Sequence, residues 1–415
     1  MESIKQARLK KLKAFRRKGI NPYPAKAERT DTCREAIDNF DQLAAKKKEI
    51  ILVGRLRTIR EHGGSTFAHL KDGSAKFQIY FKKDELGEKE YRFFLANFDV
   101  GDFIQAKGKL FLTKRGEKTL LVKDCLILSK SLAALPEKWH GLKDVEERFR
   151  KRYLDLLMNE KVRKKFLVRS QIIKAVREFL EKRGFIEVET PILQLIPGGA
   201  SAKPFQTHHN ALDMDLYLRI APELYLKRLL VGGLEKVYEI GRCFRNEGLD
   251  SHHNPDFTML ECYAAYWDWQ DLMKFMEEMM HSLNPKVFPE KWSRVNYQDI
   301  VKKGQEKEAF AKIKKPTFVL GLPNIPLAKN GQVLQGVAWG VELIKAFSEQ
   351  NDPIEQKKAL KKQEDYRYDQ DFVEALEYGM PPAAGFGIGI DRLVALLTDS
   401  HSLREVILFP LMKPK

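Results

Sequence analysis

Residues 244–257, FRNEGLDSHHNPDF, form a charged loop between two runs of β-forming residues, and this loop decides the fold. The incoming run, 236–244, is rich in Val, Tyr, Ile and Phe, and the return run covers 257–266. The two-residue period of a strand places four side chains of the return run on one face: Phe257, Met259, Glu261 and Tyr263. The sequence therefore predicts a hairpin that offers an arginine, Arg245, together with an aromatic ring, a carboxylate and a phenol.

A second stretch, 385–392, reads GFGIGIDR and leads into an apolar run at 393–397. Glycine at every second position leaves one face of a strand without side chains, so that a flat ligand can approach the backbone closely. Asp391 and Arg392 then begin a helix and place a guanidinium beside that strand. A packing bend explains the glycines equally well, so the stretch gains its meaning from the arginine hairpin.

Together, these two stretches resemble motifs 2 and 3 of the class II aminoacyl-tRNA synthetases. Residues 184–191, GFIEVETP, resemble motif 1, a dimer-interface strand that ends at a proline. Four further segments are similar to the lysyl-tRNA synthetases: 197–205 (PGGASAKPF), 207–210 (THHN), 218–224 (LRIAPEL) and 347–353 (FSEQNDP). The resemblance runs from 19–24 to 407–410. It implies a bacterial-type class II lysine–tRNA ligase, which activates L-lysine with ATP, releases pyrophosphate and transfers lysine to the 3′ end of tRNA(Lys).

The expected fold class is α+β: an N-terminal OB-fold β-barrel followed by a catalytic domain with a mostly antiparallel sheet flanked by helices. Five candidate strands separated by glycine-containing turns predict the barrel: 50–60, 66–71, 76–81, 103–113 and 119–128. We expect four segments: a basic N-terminal helix and lead-in at 1–49, the barrel domain at 50–135, a charged linker at 136–160, and the catalytic domain at 161–415.

Strand alternation in the barrel predicts which side chains point outward. In the second strand Ala68 and Leu70 would face inward and Phe67 outward, and in the third strand Gln78 would face outward. An outward phenylalanine suits base stacking, and an amide beside it can bond to a base edge. The resemblance implies that Phe67, Gln78 and Glu117 bind the anticodon.

The composition favours a polyanionic partner. The chain carries 73 Lys+Arg against 57 Asp+Glu, a net charge of +16, which suits tRNA but also fits a protein that is merely basic. Its four scattered cysteines and its lack of an apolar run of ~20 residues predict a cytoplasmic protein without membrane spans. Eight basic residues at 3–18 fit either a targeting helix or an RNA-contacting helix, and we favour the second.

The chemistry of lysine activation, which the resemblance implies, joins two anions and needs no protein nucleophile. We expect Arg245 to bind the α-phosphate and the attacking carboxylate, and Arg392 to hold the far end of the triphosphate. By resemblance, both arginines are catalytic, and the ATP-binding residues are Arg245, Glu247, His253, Phe257, Glu342 and Arg392. Phe257 would stack on adenine.

Lysine selectivity requires carboxylates for the ε-ammonium, and a site built around a charged amine rejects uncharged analogues strongly. The resemblance implies six lysine-binding residues: Gly199, Glu223, Glu261, Tyr263, Phe347 and Glu349. Buried acids without partners are costly. We therefore expect these acids to pair with the substrate or with one another through a proton.

Three departures from the resembled family cluster in residues 333–345. Gln335 stands where the family has a second metal-binding glutamate, Lys345 where it has an asparagine that touches the substrate, and Trp339 where asparagine would tolerate a positive φ more easily. Mg²⁺ would be held by Glu342 and, more weakly, by Gln335. A tight hairpin about Trp339-Gly340 would set Val337 opposite Glu342, with Gln335 diagonally across on the same face.

The remaining expectations concern size, assembly and rival functions. The lysine-rich region 284–316 is shorter than in the family, and motif 1 implies a homodimer. One rival is a paralogue with another amino-acid substrate or with a protein acceptor, although the relatives that lysylate a protein acceptor lack the anticodon-binding barrel. A second rival is a tRNA-binding regulator without catalysis, which Gln335 and Lys345 motivate.

Overall fold

The computed structural model describes residues 3–136, 144–251, 253–302, 304–323, 325–362 and 368–414. The contacts divide the chain into an N-terminal unit, Met1–Gly141, and a C-terminal unit, Leu142–Lys415. The elements of the N-terminal unit are α1 (Ile4–Arg17), α2 (Cys33–Asp38), α3 (Phe40–Ala45), β1 (Ile50–His62), β2 (Ser65–Lys71), β3 (Lys76–Lys82), α4 (Lys83–Leu86), α5 (Glu88–Asn97), β4 (Phe103–Leu112) and β5 (Lys118–Ser129).

The five strands of the N-terminal unit close into a barrel in the order β1-β2-β3-β5-β4. Each predicted strand lies within two residues of its observed bounds. The predicted alternation is confirmed, because Ala68 and Leu70 are buried while Phe67 and Gln78 are only half-buried. The barrel is therefore the OB-fold that the strand pattern predicts.

Helices pack onto this barrel at places that strand alternation does not reveal. Helix α5 follows β3 almost directly, and its Phe94 ring stacks on Phe81 with centroids 4.0 Å apart. The N-terminal helix α1 contributes Phe15, which is fully buried in the same core. Arg8 of α1 donates hydrogen bonds to the carbonyl oxygens of Val100 (2.9 Å) and Ala133 (2.8 Å). Segment 1–49 thus packs with the barrel as one unit.

The elements of the C-terminal unit are α6 (Val145–Arg150), α7 (Arg152–Met158), α8 (Glu160–Glu181), β6 (Ile186–Glu187), β7 (Leu193–Gln194), β8 (Phe205–His209), β9 (Met214–Leu218), α9 (Glu223–Val231), β10 (Lys236–Phe244), β11 (Asp256–Ala265), α10 (Trp269–Leu283), β12 (Ser293–Asn296), α11 (Tyr297–Ile300), α12 (Glu306–Ala311), β13 (Thr317–Leu320), β14 (Ala328–Ala338), β15 (Val341–Glu349), α13 (Pro353–Leu360), α14 (Gln370–Glu377), β16 (Ala383–Gly389) and α15 (Ile390–Leu397).

An eight-stranded sheet organises the C-terminal unit, in the order β12-β13-β14-β15-β16-β11-β10-β6. Only the β12–β13 and β10–β6 pairs are parallel, so the sheet is mostly antiparallel as predicted. One apolar cluster joins α8, α10 and α15 to the sheet, and another joins α9 and α14 to it. The sheet is thereby flanked by helices, and the strands β14, β15, β16, β11 and β10 lie side by side in its centre.

The predicted linker at 136–160 differs from what the structure shows. Helices α6 and α7 lie inside that range, and both belong to the C-terminal unit; residues 137–143 lie outside the described part of the chain. The Arg152 side chain is 1 % exposed and donates to the carbonyl oxygens of Leu408 (3.0 Å) and Arg404 (2.6 Å). The segment looks like a linker in sequence because its packing uses a buried arginine rather than an apolar stripe.

Candidate active site

The arginine hairpin forms as predicted, with β10 and β11 paired from Lys236↔Ala264 to Phe244↔Asp256. Strand β16 lies on the other side of β11, and its glycines lie opposite the large side chains of that strand. A Cβ atom at Gly387 would lie 2.6 Å from the Met259 methyl, and one at Gly385 would overlap the Tyr263 ring. The alternating glycines therefore make room for β11 side chains, and both glycines also line the first of two cavities.

Two cavities lie along these central strands. The first has a volume of about 340 Å³ and the second about 370 Å³. Among the described residues, five line both cavities and mark where the two spaces meet: Arg245, Glu247, Met259, Lys345 and Gly387. A reactant in each cavity would bring its reacting atoms to this junction, which we call the junction below.

The first cavity collects the residues predicted for lysine. Its lining includes Gly199, Glu223, Glu261, Tyr263 and Phe347. The loop residue Gly199 has φ +88°, and a Cβ atom there would lie 3.1 Å from the Glu223 Cβ, so a side chain would be strained and crowded. The sixth predicted residue, Glu349, is fully buried and does not line the cavity directly.

Glu349 is held in place by a buried lysine, Lys227, which was not predicted from the sequence. Its ammonium lies 2.7 Å from Glu223 Oε1 and forms an ion pair with Glu349. Burial alone lowers the pKa of Lys227, but the two carboxylates raise it above its ordinary value. The acids are therefore paired with the protein's own ammonium rather than only with a substrate. The i,i+4 spacing of Glu223 and Lys227 on α9 was the available signal.

Glu261 lies in the same cavity and is held differently. Burial, assisted by the charge of Glu223, raises the pKa of Glu261 to about 8. The Tyr263 hydroxyl donates a 2.9 Å hydrogen bond to Glu261 Oε2. At neutral pH, this carboxyl is largely protonated until a cation approaches it.

The second cavity collects the residues predicted for ATP. Its lining includes Arg245, Glu247, His253, Phe257, Glu342 and Arg392, together with Gln335. Glu306 of α12 also lines it, which the sequence reading did not anticipate; the Tyr297 hydroxyl donates to Glu306 Oε2 at 3.1 Å.

Arg245 lies at the junction with its charge uncompensated. The backbone N–H of Arg245 donates to Pro255 O at 2.8 Å and so closes the loop. Its guanidinium lies 5.0 Å from the Phe257 ring centroid, and its buried Nε has no hydrogen-bond partner among the described residues. Burial lowers the pKa of Arg245. The guanidinium is therefore positioned to bind an anionic ligand at the junction.

Asp391 anchors the second cavity, a role that the sequence reading did not assign. Its carboxylate accepts hydrogen bonds from the Thr258 backbone N–H at 2.8 Å and from Arg169 Nη1 at 2.5 Å. The neighbouring Arg392 donates to the Glu342 carbonyl oxygen at 3.1 Å. The start of α15 is thereby tied to both β11 and β15.

The β14–β15 hairpin confirms one register prediction and corrects another. Trp339 (φ 49°) and Gly340 (φ 77°) form the turn, and Val337 lies opposite Glu342 as predicted. The pairing then shifts by one residue, so Gln335 lies opposite Lys345. The expected diagonal relation of Gln335 to Glu342 is wrong because a β-bulge adds a residue to β15, and alternation alone does not reveal a bulge. Both side chains nevertheless line the second cavity.

Comparison with known proteins agrees with this geometry. Residues 144–413 match the model of the class II tRNA synthetases (D, K and N), and residues 50–128 match the OB-fold nucleic acid binding domain. The chain belongs to the class II tRNA synthetases. The family match contains every residue that lines either cavity.

Relatives of this synthetase match over its full length. The chain is 45 % identical to a protein named lysine–tRNA ligase from Carboxydothermus hydrogenoformans, covering 100 % of this chain and 99 % of the relative. Proteins of the same name from Pelotomaculum thermopropionicum and Shouchella clausii are 44 % and 43 % identical, with 96 % and 97 % of each relative covered. The first alignment has 485 positions against 415 residues here, so the relative carries segments that this synthetase lacks.

The OB-fold of the synthetase places the three predicted anticodon-binding residues on β2, on β3 and directly before β5, which are neighbouring strands of the barrel. The Phe67 ring lies 4.5 Å from the Tyr80 ring. Gln78 Nε2 donates to Thr119 Oγ1 at 2.8 Å, and Thr119 Oγ1 in turn donates to the Glu117 carbonyl oxygen at 3.0 Å. The Glu117 side chain is exposed. Bonds across β3 and β5 thus link two of the three residues, and β2 supplies the aromatic ring.

Metal ligands in this synthetase are sparse. Across the described residues, no group of three or more His, Cys, Asp or Glu side chains could hold a metal ion. The second cavity offers the Glu342 carboxylate and the Gln335 amide oxygen. Mg²⁺ commonly takes one or two carboxylates and completes its shell with water and substrate phosphates. These donors therefore fit an ion that arrives with the nucleotide.

Within the described part of the chain, no helix is long and apolar enough to cross a membrane.

Proposed function

We propose that this class II synthetase is a lysine–tRNA ligase. It forms lysyl-adenylate and pyrophosphate from L-lysine and ATP, and it then transfers lysine to the 3′ end of tRNA(Lys). The observation that carries the proposal is the charge pattern of the first cavity, which is acidic at the Glu223 and Glu261 end and cationic at the junction with Arg245. The names of its full-length relatives support the same activity.

The acidic end matches one ammonium group. Lys227 lies between Glu223 and Glu349, and burial, assisted by the charge of Glu223, raises the pKa of Glu349 well above its ordinary value, so a further cation favours the ionised form of this acid. Glu261, with its pKa of about 8, adds charge only when a cation draws its proton away. An uncharged side chain would give these buried carboxyl groups no cation to bind, and the site therefore discriminates against uncharged analogues.

The first reaction is an in-line displacement at the α-phosphorus. An oxygen of the lysine carboxylate bonds to phosphorus, the bond from that phosphorus to the β-bridging oxygen breaks, and pyrophosphate leaves with the electron pair. Arg245 neutralises the attacking carboxylate and the phosphoryl oxygens together, since a guanidinium can bond to both. Arg392 holds the far phosphates, and Glu247 and His253 contact the nucleotide. Adenine stacks on the face of Phe257 that Arg245 leaves free.

Glu342, with weaker help from Gln335, would hold Mg²⁺ on the phosphates. When bound, the ion neutralises phosphate charge.

The remaining parts of the proposal concern tRNA and assembly. Phe67 stacks on an anticodon base, and Gln78 and Glu117 bond to base edges. Strand β6 ends the eight-stranded sheet and leaves Ile186 50 % exposed, which supports a homodimer formed through this edge. We place the enzyme in the cytoplasm, where its substrates are.

The test is transfer of radiolabelled lysine to tRNA, with a protein-acceptor preparation run in parallel. The parent should lysylate tRNA and no protein, and Glu349→Gln should lose most of that activity. Glu355→Gln removes an exposed glutamate from α13 and is the matched control that should retain it. Lysine on the protein acceptor alone would favour the paralogue, and no transfer to either acceptor would favour the tRNA-binding regulator.

A further inference from the structure

Alternate side chains of β15 lead from one cavity into the other. Leu343 lines the second cavity, Phe347 lines the first, and Lys345 between them lines both. Among the five residues that line both cavities, the only cations are Arg245 and Lys345. The Lys345 side chain therefore reaches the junction, where the two anionic reactants of the proposed reaction meet.

The surroundings of Lys345 leave its charge available. On the neighbouring strands, it pairs with Gln335 of β14 and Gly387 of β16, and neither residue is acidic. Its side chain is exposed, and it makes no ion pair with any carboxylate in the described ranges, including that of Glu247 at the junction. The ammonium therefore borders the space of both cavities, where an anionic ligand can reach it.

The pairing of Gln335 with Lys345 links two of the departures from the resembled family. Where the resemblance implies a glutamate, position 335 carries a neutral amide, and where it implies an asparagine, position 345 carries an ammonium. Because the two residues lie directly opposite each other, both changes make the same few ångströms of cavity wall more positive. A carboxylate at position 335 would instead lie within reach of the ammonium and neutralise it.

We propose that Lys345 is a second catalytic cation of the adenylation step. Its ammonium contacts the substrate carboxylate and the α-phosphate beside Arg245. Because this ammonium supplies positive charge, nucleotide binding depends less on a divalent cation. The role rests on the proposed function. The ammonium holds no fixed fork of donors, so its contacts can follow the oxygens while the carboxylate bonds to phosphorus and pyrophosphate departs with the electron pair.

The test measures equilibrium binding of α,β-methylene-ATP by calorimetry, with EDTA and then with Mg²⁺. Lys345→Asn should weaken binding in EDTA roughly tenfold or more, because a hydrogen bond to a charged group is lost. The loss should be smaller with Mg²⁺, since the ion supplies the missing positive charge. Lys345→Arg keeps the charge and should bind as the parent does in EDTA.

Two further variants sharpen this test. Gln335→Glu should reproduce most of the loss in EDTA, because the new carboxylate holds the ammonium of Lys345. Lys329→Asn removes a lysine from the same hairpin at a position that lines neither cavity, and it should bind like the parent. Equal affinities of the parent and Lys345→Asn in EDTA would overturn the role of Lys345, as would equal losses in Lys345→Asn and Lys329→Asn.

A separate measurement keeps this inference distinct from the proposed function. Lysine-dependent pyrophosphate exchange by the parent, in the same preparation, decides whether the protein activates lysine. If the parent exchanges pyrophosphate and Lys345→Asn binds α,β-methylene-ATP in EDTA as tightly as the parent does, the role of Lys345 is overturned while the proposed function stands. Every variant should unfold at the same temperature as the parent, which would show that a loss of binding is not caused by a loss of fold.

Discussion

The two cavities treat their charges in opposite ways. In the first cavity, the carboxylates of Glu223 and Glu349 are compensated inside the protein by Lys227. In the second cavity and at the junction, Arg245 has a buried Nε without a partner among the described residues, and Lys345 makes no ion pair within them. A site whose charges are paired within the protein is stable and selective before its ligand binds. A site whose charges are unpaired is stabilised by the ligand itself.

The largest expected effect is a loss of activity without a loss of stability, from a substitution at the junction. Arg245→Gln should lower kcat for lysine-dependent pyrophosphate exchange by about 10³-fold, the scale expected when one charged contact to a developing anion is lost. The unfolding temperature should remain unchanged, because the buried Nε of Arg245 has no partner among the described residues whose loss would destabilise the fold. Steady-state exchange kinetics and calorimetry measure both quantities.

Arg242→Gln is the matched control on the same hairpin. Arg242 forms an exposed ion pair with Asp256, so its loss should change kcat by no more than about twofold. Comparable losses in the two variants would contradict the separate role of Arg245.

The next largest expected effect is a loss of both stability and lysine binding, from a substitution beside the first cavity. Lys227→Met leaves Glu223 and Glu349 buried without their cation, and the free energy of unfolding should fall by about 3 kcal/mol. Denaturant titration measures this loss. The KM for lysine should rise at the same time, while the affinity for α,β-methylene-ATP should be unchanged.

The control for this variant is Lys358→Met, which removes an exposed ion pair with Glu355. It should change the free energy of unfolding by at most about 0.5 kcal/mol. A similarly small change in Lys227→Met would show that Lys227 does not compensate the first cavity.

The predicted anticodon-binding site in the N-terminal unit sharpens the comparison, because Phe67 would bind a base through an uncharged ring. Phe67→Ala should raise the KM for tRNA about tenfold, as expected for the loss of one stacked base. Pyrophosphate exchange, which needs no tRNA, should be unaffected. Leu126→Ala trims an exposed apolar side chain elsewhere on the barrel and should leave the KM for tRNA as it is in the parent.

The last expected effect is a pH dependence, spread over several pH units, that belongs to the first cavity. Glu261 has its pKa raised from 4.5 to about 8, so the folded protein keeps a proton that the unfolded chain releases. The free energy of unfolding should therefore fall as the pH rises from about 4.5 to about 8, by less than about 1.4 kcal/mol per pH unit. Glu261→Gln should flatten this slope, and an unchanged slope would assign it to other groups.

Sequence reasoning found most of the fold because strand periodicity is a local property. The hairpin of β10 and β11 and the five barrel strands follow from alternation and turns. The helices α4 and α5 were missed, as was the packing of Phe15 into the barrel core, because these depend on contacts distant in sequence. The predicted linker was wrong for the same reason.

The candidate site was predictable to a similar degree. Residues that the resemblance named lie around the two cavities, yet Lys227 was missed although its spacing from Glu223 was visible on α9. The position of Gln335 opposite Lys345 was not predictable, since one bulged residue shifts the register without changing the alternation on either side. That shift places the two departures in direct opposition.

The most direct test of the account compares L-lysine with L-norleucine in ATP–pyrophosphate exchange. Norleucine has the same carbon chain as lysine and lacks the ammonium, so it probes whether the carboxyl groups at the acidic end of the first cavity require a cation from the substrate. We predict that kcat/KM for lysine exceeds that for norleucine by about 10⁴-fold, as for a site that loses a required polar contact. Comparable exchange with both amino acids would contradict the claim that this cavity is built for one ammonium group.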